Sequence, residues 1–171
     1  MSDVRIALYR GVSALSRMIR WATRGPYSHA ALLLDDGSVI EAWRRGVCRA
    51  RPFAHHLPGT QIDVFAFRRP LADAEAGKII DAALGQLGKP YDWTNIFRSL
   101  SRRSTVWNEA WFCSELVAWA CAGAGRPLLI AEPSIITPHH ISWSTELEHA
   151  GTLTRSAERG RIVVWQEDAW I

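Results

Sequence analysis

Cysteine is scarce in this chain, whose 171 residues include only Cys48, Cys113 and Cys121. An odd and sparse set excludes a disulfide scaffold and fits a reducing compartment. Long apolar runs are missing as well. No window approaches the roughly 18 apolar residues of a membrane-spanning helix, and the start MSDVRIALYR lacks a secretory-type apolar stretch. The expectation is a cytoplasmic chain that does not span a membrane, with export by another route left open. There is little excess of one charge. Twenty Lys plus Arg against seventeen Asp plus Glu leave +3 at pH 7, too weak a balance to argue for a nucleic-acid partner. Neither CxxC nor HExxH occurs. The pairs His55-His56 and His139-His140 are no substitute, because neighbours on a strand point apart, and no metal or cofactor is expected. No repeat, low-complexity tract or linker divides the chain, so residues 1–171 read as one domain.

What is present is a globular balance of 48% hydrophobic and 22% charged residues, enough for a sizeable core without staples. Nine tryptophans serve core and rim packing. Val4 to Tyr9 predicts a first strand. Ser13 then caps a helix with Leu15, Met18, Ile19 and Ala22 at helical spacing, ending before Gly25-Pro26, and Arg17, Arg20 and Arg24 form its solvated face. HAALLL from His29 and SVIEAW from Ser38 flank Asp35-Asp36-Gly37, a hairpin signal. Four arginines between Arg44 and Arg51 mark an exposed strand edge and loop. Ile62 to Phe67 is a further strand. Asp73 caps a second helix that ends at Gly88, and Tyr91 to Ala110 is loop with a short helix around Ile96 to Leu100. The apolar Cys113 helix stops at Gly123, Gly125 and Pro127. Thr137-Pro138 opens a short helix, and RIVVW from Arg161 is a closing strand. This order points to α+β, with a small antiparallel sheet or partial barrel packed against helices.

Cys113 is the first candidate for chemistry, because it starts an apolar helix. Unpaired N–H groups and the positive dipole end there favour a thiolate and can hold an oxyanion. Cys121, eight residues on, reads as core, and Cys48 as incidental. A nucleophilic thiol needs a base. Of six histidines, His29 alone opens an apolar strand behind a rigid Gly-Pro-Tyr-Ser turn. Glu41 sits within the apolar run Val39 to Trp43, where a carboxylate is costly unless paired. Its rival Glu115 is two residues from Cys113, on the far side of the helix, and is better read as complementing the helix dipole. A three-residue loop with Gly37 left-handed sets Ala31 opposite Glu41 and His29 opposite Trp43, making Glu41 a diagonal neighbour of His29. Tyr27, two residues before His29, is expected on the same side, at the pocket edge.

The blocks PYSHAALLLDDGSVIEAW, GQLGKPYDW and WFCSELVAWACAGAGRPL, in that order, resemble the circularly permuted papain-like cysteine hydrolases, the YiiX/YebB branch of the NlpC superfamily. The resemblance covers roughly residues 10 to 130 and fades after Pro138. It implies a permuted papain-like fold in which Cys113 is the nucleophile, His29 the base and Glu41 the orienting acid. Tyr27 would stand at the pocket edge and Tyr91 would line the pocket. The activity implied is that of a cysteine amidase or peptidase that cleaves an amide through an acyl-enzyme and needs no cofactor. The substrate would be a peptide, a cell-wall stem peptide or an N-acyl amide. Two alternatives remain: an acyltransferase using the same triad, and a catalytically silent binding module.

Overall fold

A computed structural model describes residues 3–92 and 110–155 and the backbone of residues 162–165. Apolar residues run nearly unbroken along β1 (Val4–Arg10), which lies at the middle of an antiparallel sheet. Val4, Ile6 and Leu8 point into the main core, and Ala7 and Tyr9 into a second cluster on the other face. Burial on both faces explains why β1 and β2 (His29–Leu34) read as nearly continuous apolar runs. The remaining strands are β3 (Val39–Trp43), β4 (Gly46–Ala50), β5 (Gln61–Phe67), β6 (Leu147–Arg155) and β7 (Ile162–Trp165). Their order is β4-β3-β2-β1-β5-β6-β7, and every pair is antiparallel.

The fold is α+β, and with seven strands its sheet is larger than expected. The arginine-rich segment supplies the edge strand β4. The unexpected strand is β6, whose sequence LEHAGTLTR lacks a sustained apolar alternation; a shift of register opposite Val64 and Phe65 breaks its pattern.

Three helices frame the site. In α1 (Ala14–Thr23) the Ser13 side chain accepts from Ser16 N–H, as expected of a cap. In α2 (Asp73–Leu84) the cap position belongs to Ala72 rather than Asp73, and Glu75 reaches back to the Ala72 N–H. Helix α3 (Cys113–Gly123) buries Leu116, Val117, Ala120 and Cys121 in the same core as Ala76, Ile79 and Ala83 of α2. A four-residue helix, α4 (Pro138–Ile141), follows the expected Thr137 cap, which accepts from His140 N–H. The short helix expected around Ile96 to Leu100 lies outside the described residues.

The hairpin β2–β3 has the register of a three-residue loop. Leu32 pairs with Ile40 and Leu33 with Val39, and Gly37 takes a φ of +76°. That left-handed angle is free of strain only for glycine. Continuing the register sets Glu41 diagonally across from His29.

Candidate active site

His29 opens β2 opposite Tyr9 at the end of β1. Its Nε2 lies 2.6 Å from Oε2 of Glu41, and both side chains are buried. The ring is enclosed edge-on by Tyr9 and Trp43, each with its centroid 5.0 Å away. Burial alone would disfavour the imidazolium. Electrostatic and hydrogen-bonding interactions with Cys113 and then with Glu41 outweigh it and lift the His29 pKa to about 10. Burial likewise opposes ionisation of Glu41, but the hydrogen bond with His29 and the nearness of His56 bring it down to about 2. The two side chains form a charge-assisted pair in a dry setting.

Cys113 is the first residue of α3 and is only 1% exposed, packed with Phe112 and with Ile19 of α1. Cys113 interacts with His29 strongly enough to help raise the imidazole's pKa. A helix start carries backbone N–H groups without intrahelical partners, and Cys113 is the first residue of α3. Glu115 Oε2 accepts from the Phe112 N–H at 3.3 Å, the dipole-complementing role read from the sequence. Cys121 is fully buried, and burial pushes its thiol up to about 12.

Tyr91 comes next to the thiol. It forms an isolated bridge with Trp111, its ring lies 6.0 Å from that of Phe112, and burial followed by the charge of Cys113 raises its phenol. Tyr27 departs from expectation. Its ring packs toward Phe65 in the helix-side core and its hydroxyl donates to Asp63 Oδ2 at 2.7 Å, whereas His29 keeps company with Tyr9 on the other face. The reason is local: β2 begins at His29, so strand alternation does not extend back to Tyr27.

Two residues judged unimportant from the sequence belong to this neighbourhood. His55 and His56 do not point apart, because they lie in a turn between β4 and β5 rather than on a strand. His56 Nε2 approaches Glu41 Oε2 at 3.8 Å while its ring stacks on Tyr9, and His55 Nε2 lies 4.0 Å from Oε1. Cys48 is not incidental either, since it pairs across the hairpin with Glu41. No sequence signal marked these residues, because their approach to Glu41 depends on a turn conformation and on the β3–β4 pairing.

No family model and no curated protein matches the chain by sequence. Among solved structures it is similar to the crystal structure of the metalloprotein YiiX from Escherichia coli O157:H7, assigned to DUF1105, with a TM-score of 0.67. The two are 19% identical, and the match covers 86% of this chain and 94% of that one. The chain therefore has a YiiX-like fold.

Proposed function

We propose that the protein is a cysteine amidase or peptidase acting through Cys113, His29 and Glu41. The observation that carries this reading is the 2.6 Å bond between His29 Nε2 and Glu41 Oε2 with Cys113, at a helix start, interacting with the same ring. With Nε2 committed to Glu41, Nδ1 of His29 serves the thiol. It takes the Cys113 proton and the thiolate attacks the amide carbon, with N–H groups at the start of α3 holding the oxyanion. When the C–N bond breaks, His29 gives the proton to the departing amine. It then deprotonates a water that cleaves the thioester, releasing a carboxylic acid and restoring the thiol. Tyr91 lines the acyl site.

The chain order histidine, acid, cysteine is that of a permuted papain-like domain, and the YiiX-like fold is compatible with it. YiiX is described as a metalloprotein; the steps above run through side chains alone, and among the described residues two groups suited to a metal share Glu41, one with His29 and His56 and one with Cys48 and His55.

Intact mass after exposure to a panel of activated acyl donors tests the reading. A single acyl adduct on the wild type, absent from Cys113→Ala and discharged by water, is expected. Alkylation of Cys113 without any acyl adduct or turnover would favour a silent binding module, and discharge only to an added amine or alcohol would favour an acyltransferase.

A further inference from the structure

Glu41 engages only half of its carboxylate with His29. Oε2 carries that bond, while Oε1 is buried without a hydrogen-bond partner in a side chain only 1% exposed. An orphaned, buried carboxylate oxygen is an expensive feature to leave unmatched. Two donors from separate parts of the chain converge on it. Cys48 is the direct cross-strand partner of Glu41, so both side chains rise from one face of adjoining strands. His55 enters from the turn after β4, with Nε2 4.0 Å from Oε1 and 3.9 Å from Cys48 Sγ. Its ring lies nearly parallel to that of Trp43, at 14° with centroids 5.8 Å apart, which fixes the direction of Nε2.

We propose that Glu41 Oε1, Cys48 Sγ and His55 Nε2 bind a borderline-soft divalent transition metal, with zinc as the type ion. The three donor atoms lie within 4.8 Å of one another. Bond lengths of about 2.0–2.3 Å place tetrahedral zinc ligands roughly 3.2–3.8 Å apart, so a contraction of about 1 Å completes the set. A thiolate, an imidazole and a carboxylate together suit zinc or cobalt rather than magnesium or calcium. Cys48 is half-buried and His55 exposed, which gives the ion an entry path and leaves its fourth position to solvent or a ligand. The site shares a residue with His29 but not an atom, so both can be filled together. The inference stands apart from the hydrolase reading.

Cobalt(II) is the probe, because a thiolate ligand yields a near-ultraviolet charge-transfer band that imidazole and carboxylate do not. Titration of the whole protein is expected to give this band at one equivalent and to lose it when zinc is added. Cys48→Ser should abolish the band, His55→Ala should weaken zinc binding by about tenfold or more in calorimetry, and Cys113→Ala should leave both unchanged. Circular dichroism establishes that each variant is folded. A folded wild type with no band overturns the proposal, as does a band that survives Cys48→Ser and disappears in Cys113→Ala.

Discussion

A carboxylate buried as deeply as Glu41 is retained only when its partners repay the lost hydration, and here the principal partner is a histidine that also faces a thiol. Removing the charge while keeping the shape should therefore act on chemistry more than on folding. Glu41→Gln is expected to lower kcat/KM for amide turnover on the order of 10²-fold, the scale of a lost general acid–base contribution. The urea midpoint should shift little by comparison. Glu115→Gln, which only weakens a contact at the helix start, should leave turnover nearly unchanged; if it matches Glu41→Gln in its effect, the orienting acid has been misassigned. Cys113→Ala should abolish turnover yet move the melting temperature by no more than a few degrees, because a small buried thiol contributes modest packing. The sequence singled out Cys113, His29 and Glu41 because each departs from its setting: a thiol at a helix start, an imidazole opening an apolar strand, a carboxylate inside one. His55, His56 and Cys48 carried no such mark. Their proximity to Glu41 depends on a turn conformation and a cross-strand pairing, and neither shows in residue spacing.

At the scale of elements, the hairpin and the helices were legible where glycine and capping residues punctuate the chain. Gly37 set the β2–β3 register, and Ser13 and Thr137 began their helices. Strand β6 was not legible, since its β5 partners, from Gln61 opposite Thr154 to Phe67 opposite Leu147, lie far earlier in the chain. Gly46 shows how such distant contacts constrain single positions. Its φ is +113°, and a Cβ there would lie 2.4 Å from the Lys89 carbonyl oxygen, beside the Val47 N–H to Lys89 bond that ties β4 to the Gly-Lys-Pro turn. Gly46→Ala should destabilise the fold by more than about 1 kcal/mol through this strain, measurable as a lowered urea midpoint. Arg126 was likewise not singled out from the sequence. At 2% exposure it reaches Glu75 at the start of α2, the Arg69 carbonyl, and Glu146 ahead of β6, with its guanidinium over the Phe67 ring. Arg126→Met keeps the bulk and removes the charge-assisted bonds, and it should cost about 2–3 kcal/mol of unfolding free energy. A variant as stable as the wild type would mean that those bonds only offset the desolvation of the guanidinium.

For the molecule as a whole, Asp63 links parts of the chain as far apart in sequence as Arg10 and Thr152. From β5 its carboxylate accepts from Arg10 at the end of β1, from the Tyr27 hydroxyl ahead of β2, and from Thr152 on β6. Burial opposes its ionisation, but the hydrogen bonds from Thr152, Tyr27 and Arg10 outweigh that and hold the carboxyl below its ordinary value. In the unfolded chain the same group titrates near about 3.9. As the solution is acidified the unfolded chain takes up this proton first, so the stability due to Asp63 is fully present above that value and is lost as pH falls toward the lower folded-state value. Asp63→Asn cannot gain or lose it. Near neutral pH the variant should be less stable than the wild type, and the gap should narrow as pH falls below about 4. Urea unfolding at a series of pH values measures this directly; a gap that stays constant across that range would mean that the ties to β1, β2 and β6 do not depend on the Asp63 charge.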